Sequence, residues 1–127
     1  MSEKKKYELE FVVRASSKLL YNFLSTPSGL SEWFADDVNS RGEEYTFFWE
    51  GSEEEATLLS KKNNHHIRFK WADTEDDDSY FEFLIQIDDL TEDVSLIITD
   101  FAEEDEMEEA KMLWQSQIQT LLSHMGS

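Results

Sequence analysis

The last part of the chain alternates apolar and polar positions with the period of a helix. Acidic residues fill its first turns, where negative charge is favourable at the positive end of the helix dipole. Gly126 follows as a terminator. The pattern predicts a long amphipathic helix over Glu103–His124, whose apolar stripe must pack on another element to be stable. The stripe consists of Met107, Ala110, Leu113, Trp114, Ile118, Leu121, Leu122 and Met125.

Earlier segments alternate with a period of two, which is typical of half-buried strands. The first strand carries Tyr7, Leu9, Phe11 and Val13 on one face. The connections between the later strands are short and polar, which favours antiparallel neighbours because parallel pairs need a long crossover. Six further strands are predicted, around Val38 and over residues 45–50, 56–60, 66–71, 81–87 and 94–99.

Two short helices are predicted between the first strand and the others. Ser16 is placed to cap the first helix, which would bury Leu19, Leu20, Phe23 and Leu24. Thr26-Pro27 then interrupts the helix, because proline cannot continue it and restricts the preceding residue. Ser28–Phe34 forms the second helix. The order β-α-α-β6-α predicts an α+β fold over residues 1–127, a single domain with a curved antiparallel sheet of about seven strands around the terminal helix.

The charge balance narrows the choice of partners. The chain has 29 acidic and 11 basic residues and a net charge of −18, which disfavours nucleic acid and anionic membranes and attracts basic protein surfaces. It contains no cysteine, so disulfides and cysteine chemistry are excluded. No apolar run predicts a signal peptide or a membrane span. We expect a cytoplasmic protein, and the sequence leaves its oligomeric state open.

The element order and the segment Thr26-Pro27-Ser28-Gly29-Leu30-Ser31-Glu32-Trp33-Phe34 resemble the START-like (SRPBCC) superfamily. This helix-grip superfamily includes the birch pollen allergens and the polyketide cyclases. The resemblance is closest to the branch named for activators of the heat-shock protein ninety ATPase, where a threonine or serine and a proline precede a leucine and then a tryptophan with a second aromatic. Leu113-Trp114 and Leu121-Leu122 resemble that branch too. The resemblance implies a cavity between sheet and terminal helix for an apolar small molecule or lipid, and it admits a chaperone-binding role.

The apolar residues predicted to face this interior have two interpretations. They would line a ligand pocket, since such pockets are concave and mostly apolar, or they would form an ordinary core, each worth roughly 1.5–3 kcal/mol when buried. A protein-interaction module that uses the acidic surface is the alternative function, and an enzyme of the cyclase or hydrolase type comes third. The predicted lining is Trp33, Phe34, Phe47, Trp49, Phe69, Trp71, Phe83, Met107, Trp114 and Ile118.

Metal and catalytic sites are not expected. His65 and His66 are adjacent, and on a strand they would point to opposite faces and not chelate one ion; a solvent-exposed turn is the expected setting. The acidic stretch Asp73, Glu75, Asp77 and Asp78 lacks the glycine and the glutamate of a calcium-binding loop. The sequence contains no catalytic motif and no phosphate-binding glycine loop. Arg68 and Lys70 are expected to pair with acids across strands.

Overall fold

The fold is an antiparallel sheet combined with three helices. The computed structural model describes residues 3–74 and 77–126. Short 3-10 turns lie at Ala72–Thr74 and Glu104–Glu106. The predicted order of elements is confirmed. The elements are β1 (Lys4–Val13), α1 (Ser17–Ser25), α2 (Pro27–Trp33), β2 (Asp37–Arg41), β3 (Glu44–Trp49), β4 (Ser52–Lys62), β5 (His66–Trp71), β6 (Phe81–Ile87), β7 (Val94–Glu103) and α3 (Met107–Met125).

The seven strands form one curved sheet in the order β1-β7-β6-β5-β4-β3-β2, and every neighbouring pair is antiparallel. The registers bring apolar residues into rows across the inner face: Leu9 is opposite Ile98, Ile98 opposite Phe83, and Phe83 opposite Ile67. The register shifts between Leu58 and Ser60. Ser60, which the alternation pointed to the same side as Leu58, is therefore exposed.

The corner between α1 and α2 is closed by side-chain caps and by one glycine. Ser16 accepts a hydrogen bond from the Leu19 N–H at 3.1 Å, as predicted, and Thr26 Oγ1 accepts one from the Gly29 N–H at 2.9 Å. A Cβ atom at Gly29 would lie 2.2 Å from the Asn22 carbonyl oxygen. The two helices can therefore approach this closely because residue 29 has no side chain.

Helix α3 differs from its predicted form in two ways. It begins at Met107, because β7 continues to Glu103 and a 3-10 turn follows. Leu113 is 62% exposed, although the pattern assigned it to the apolar stripe. The buried residues are Trp114, Ile118 and Leu121. Successive helical residues differ by about 100° in direction, so Leu113 points well away from Ile118. Gly126 ends the helix with a φ of 70°, as expected for a C-terminal glycine.

In helix α1, too, one residue that was predicted to be buried is exposed. Its buried residues are Leu20, Tyr21 and Leu24, whereas Leu19 is 41% exposed. The pattern assigned Leu19 to the buried face because apolar residues occur at both 19 and 20. The buried face is centred on Leu20, Tyr21 and Leu24, and Leu19 lies at its edge.

Candidate functional site

The aromatic residues predicted to face the interior come together between the sheet and α3. Phe34, the C-cap residue that follows α2, lies at their centre. Its ring centroid is 5.1 Å from that of Phe47 on β3 and 5.7 Å from that of Trp114 on α3. We call this set the aromatic cluster. It comprises Trp33, Phe34, Phe47, Trp49, Phe69, Trp71, Phe81, Phe83 and Trp114, joined by ring centroid distances of 4.7–6.4 Å.

Phe81 belongs to this cluster although the predicted lining left it out. Its centroid is 4.7 Å from that of Trp71 and 5.1 Å from that of Phe69. The signal was present, because Phe81 alternates in phase with Phe83. Ile118 is fully buried in the same core, and Met107 is half-buried at the start of α3. The interior is therefore strongly aromatic, with rings from β3, β5, β6, α2 and α3.

Hydrogen bonds fix the position of Phe34. Its carbonyl oxygen accepts one from Trp49 Nε1 at 2.9 Å and one from Gln117 Nε2 at 3.1 Å. Trp33 Nε1 donates to the Phe23 carbonyl at 2.8 Å. The end of α2 is thus tied to β3, to α3 and to α1, so that the ring of Phe34 is held where the other rings converge.

A carboxylate on the inner face of β7 was missed by the sequence interpretation. The even residues of β7 point inward, and Asp100 follows Leu96 and Ile98 in that row. Asp100 Oδ2 accepts hydrogen bonds from Trp114 Nε1 at 2.9 Å and from the Tyr7 hydroxyl at 3.4 Å. The alternation of β7 was the signal that could have found it. Asp100 therefore links β1, β7 and α3 through one polar contact.

Burial controls the protonation of this contact. It raises the pKa of Asp100, while hydrogen bonds, first the one from Trp114, lower that pKa in part. The pKa of the Tyr7 hydroxyl is also raised, first by burial and then by the charge of Asp100. Asp100 can therefore take up a proton more readily than an exposed aspartate.

Open space lies at the edge of the interior. A depression of about 440 Å³ lies where the α1–α2 corner meets the end of α3, and His124 Nδ1 lies 3.6 Å from Glu32 Oε2 at its rim. Neither this depression nor four others on the surface of the described residues is lined by a ring of the aromatic cluster. Its lining is Asn22, Phe23, Thr26, Ser28, Gly29, Glu32 and His124.

The histidine pair differs from its predicted geometry. His65 lies in the turn before β5, so its ring is free to approach that of His66, and the two Nδ1 atoms are 2.8 Å apart. The predicted exposed turn is confirmed for His65, whereas the expectation that the two rings point to opposite faces is wrong, because it assumed that both residues lie on a strand. At this distance one nitrogen can donate to the other in a simple hydrogen bond.

In the acidic loop after β5, Asp77 makes hydrogen bonds and salt bridges within the protein. Asp77 accepts hydrogen bonds from the backbone and the hydroxyl of Ser79, and these lower the pKa of Asp77 to about 2. Lys4 also lies 3.2 Å from Asp77, and Lys70 lies 3.8 Å from it. Glu75 lies outside the described residues. Arg68 pairs with Glu82 across the strands at 2.9 Å, as predicted, whereas Lys70 pairs with an acid in the loop.

The family model of the START-like superfamily domain matches residues 1–127. The chain belongs to the START-like superfamily. Members of this superfamily commonly bind hydrophobic ligands. A search among curated proteins gave no match. No helix formed by the described residues is both long enough and apolar enough to cross a membrane.

Solved structures support the same fold. The solution NMR structure of BfR322 from Bacteroides fragilis is 38% identical, with a TM-score of 0.70 over 95% of this chain and 90% of that one. The Aha1 dimer from Colwellia psychrerythraea is 16% identical, with a TM-score of 0.78 over 93% of each chain. MLL2253 from Mesorhizobium loti is 15% identical, with a TM-score of 0.79 over 96% of this chain and 97% of that one. At such low identity the last two show the fold alone.

Proposed function

We propose that this START-like domain binds an apolar small molecule or lipid between its sheet and α3. The observation that carries the proposal is the aromatic cluster, which gathers rings from five elements between the sheet and α3, in a superfamily whose members commonly bind hydrophobic ligands. Such a surface gains free energy from any apolar molecule that replaces water or fills gaps among the rings.

The rings are already in mutual contact, so binding requires the interior to open. Helix α3 is the element best placed to move. It is attached through the buried side chains of Trp114, Ile118 and Leu121, and through hydrogen bonds from Trp114 to Asp100 and from Gln117 to Phe34. Displacement of α3 would separate Trp114 from the rings of Phe34 and Phe83 and create space next to the sheet.

The depression at the α1–α2 corner supplies the route of entry. Phe23 is part of its lining, and the Phe23 carbonyl holds the indole of Trp33, a member of the aromatic cluster. The contact between His124 and Glu32 spans the rim from α3 to α2. A ligand that enters here would meet Phe23 first and then the rings behind Trp33.

Titration with Nile red, a neutral apolar dye, tests this function. A neutral probe is appropriate because the net charge of −18 repels anionic fatty acids. We expect one saturable site per chain, displacement of the dye by 1-decanol, and a mass shift for one retained ligand in native mass spectrometry. An ordinary closed core would give no saturable binding of either molecule, and that result would remove the proposal.

Two variants locate the site. Phe83→Leu removes part of a fully buried ring that contacts Trp33, Phe34 and Trp114, and the space it leaves should increase dye affinity several-fold. Leu59→Ala changes a 48% exposed residue on β4 and should leave the affinity unchanged. Equal effects of the two substitutions would place the dye on the surface.

A further inference from the structure

A second depression, separate from the aromatic cluster, lies at the opposite end of α3. It encloses about 540 Å³ between the end of β7, the start of β1 and the first turns of α3. We call it the acidic groove. Its lining is Lys4, Phe101, Ala102, Glu103, Glu106, Glu109, Ala110 and Leu113.

The floor of the acidic groove is apolar. Ala102 is buried, Ala110 is half-buried, and Leu113 is 62% exposed. Leu113 leaves the stripe that docks α3 on the sheet, and it projects beside the groove instead. Covering a leucine side chain with another apolar group stabilises a complex through the hydrophobic effect. The groove therefore offers an apolar contact that the fold itself leaves uncovered.

The rim of the acidic groove is negatively charged and crowded. Carboxylate oxygens of Glu103, Asp105 and Glu106 lie within 4.8 Å of one another. The pKa of Glu106 is raised, first by a hydrogen bond with Glu103 and then by the charge of Glu103. Like charges at this spacing repel one another, and a cation placed among them would relieve that repulsion.

The nearby lysines are engaged with other acids. Lys4 lies 3.2 Å from Asp77, and Lys5 lies 3.3 Å from Glu104. Lys4 also lines the groove, but its salt bridge directs its ammonium group toward Asp77 in the loop after β5. An apolar floor with a negatively charged rim is complementary to a polypeptide that carries apolar side chains between lysines or arginines.

We propose that the acidic groove docks a basic, amphipathic segment of a partner protein. An apolar side chain of the segment contacts Leu113 and Ala110, while flanking lysine or arginine side chains contact Glu103, Glu106 and Glu109. The proposal is independent of ligand binding between sheet and α3, because the groove shares no residue with the aromatic cluster. The net charge of −18 would also steer a basic partner toward this protein.

The test uses a fluorescein-labelled peptide of about 14 residues, built from leucine and lysine in amphipathic helical order, and measures fluorescence anisotropy in about 0.1 M salt. A chain with this net charge attracts any cation, so the comparison must hold the charge constant. Glu103→Gln, Glu106→Gln and Glu109→Gln are combined in one variant. Glu53→Gln, Glu54→Gln and Glu55→Gln, all exposed on β4, are combined in the matched control.

We expect the groove variant to bind the peptide at least about tenfold more weakly than the β4 variant. A second pair tests the apolar contact: Leu113→Ser should weaken binding by about tenfold, whereas Met112→Ser should not. Met112 is 66% exposed on the same turn and lies outside the groove lining. Equal losses within both pairs would mean that the peptide responds to bulk charge, and would overturn the proposal.

Discussion

The two halves of α3 carry similar numbers of apolar residues but use them differently. In the C-terminal half Ile118 and Leu121 are fully buried, and Trp114, near the middle of the helix, stacks on Phe34 with its centroid 5.7 Å away. In the N-terminal half Met112 and Leu113 are 66% and 62% exposed. The difference lies in direction, because at about 100° per residue Met112 and Leu113 are turned by about 200° and 100° from the buried Trp114. Apolar composition therefore does not decide burial along a helix; the direction of each residue relative to the sheet does.

Phe34→Ala should give the largest loss of stability, because it removes the ring at the centre of the aromatic cluster. We expect the free energy of unfolding to fall by about 3–5 kcal/mol, measured by urea denaturation. Leu90→Ala is the control, since Leu90 is 94% exposed and should change stability by less than about 0.5 kcal/mol. A loss below about 1 kcal/mol for Phe34→Ala would mean that the rings do not pack as described.

Ile118→Ala and Leu113→Ala compare the two halves directly. Ile118 is fully buried, so its truncation should cost about 2–5 kcal/mol. Leu113 is mostly exposed, and its truncation should cost less than about 0.5 kcal/mol. The same denaturation experiment checks both. Similar costs for the two variants would show that Leu113 belongs to the buried stripe after all.

Gly29→Ala tests the corner that positions α2 and hence Phe34. The added methyl group would lie 2.2 Å from the Asn22 carbonyl and 2.7 Å from Phe23 Cα, so the two helices must separate. We expect a loss of about 1–3 kcal/mol, measured as a lower midpoint of thermal unfolding. Ser28→Ala, at the neighbouring exposed position, is the control. An unchanged midpoint for Gly29→Ala would contradict the close approach.

Asp100→Asn should give the smallest effect and depends on pH. Because burial raises the pKa of Asp100 in the folded state, that state binds the proton more tightly than the unfolded chain. The resulting stabilisation is complete below the unfolded pKa and is lost as pH rises through the folded pKa. Asparagine keeps an acceptor for Trp114 but does not titrate. Relative to the native chain, Asp100→Asn should therefore gain stability as the pH rises above the ordinary pKa of an aspartate and through the raised pKa of Asp100.

The measurement is the difference in unfolding free energy between Asp100→Asn and the native chain at each pH. The other acids titrate in both proteins, so their contributions largely cancel. A difference that does not change with pH would show that Asp100 is solvated in the folded protein. A difference of opposite sign would mean that the hydrogen bonds from Trp114 and Tyr7 outweigh its burial.

Much of the fold followed from the sequence, because alternation and caps are local signals. The strand phases placed Phe47, Phe69 and Phe83 on one face, and Ser16 capped α1 as expected. What local patterns could not supply was the rotation of a helix against its partner. Leu19 and Leu113 were assigned inward for that reason, and they are exposed.

The sequence predicted the aromatic interior between the sheet and α3 but missed the buried carboxylate beside it. Large aromatic residues in phase on several strands predict a shared interior. Asp100 follows Leu96 and Ile98 in the same alternation on β7. An acidic residue after such an apolar row normally indicates that the strand has ended. Its hydrogen-bond donor Trp114 lies on α3, 14 residues later in the chain, and only the packed structure brings the two together.

The indole N–H resonances of the tryptophans test the central claim most directly. Trp114 donates to Asp100, and Trp49 donates to Phe34, so both report on the interface between α3 and the interior. Titration with 1-decanol should shift these two resonances saturably, with one molecule bound per chain, while the leucine–lysine peptide leaves them in place. If decanol at saturating concentration left the resonances of Trp114 and Trp49 unchanged, the interior would not be the binding site.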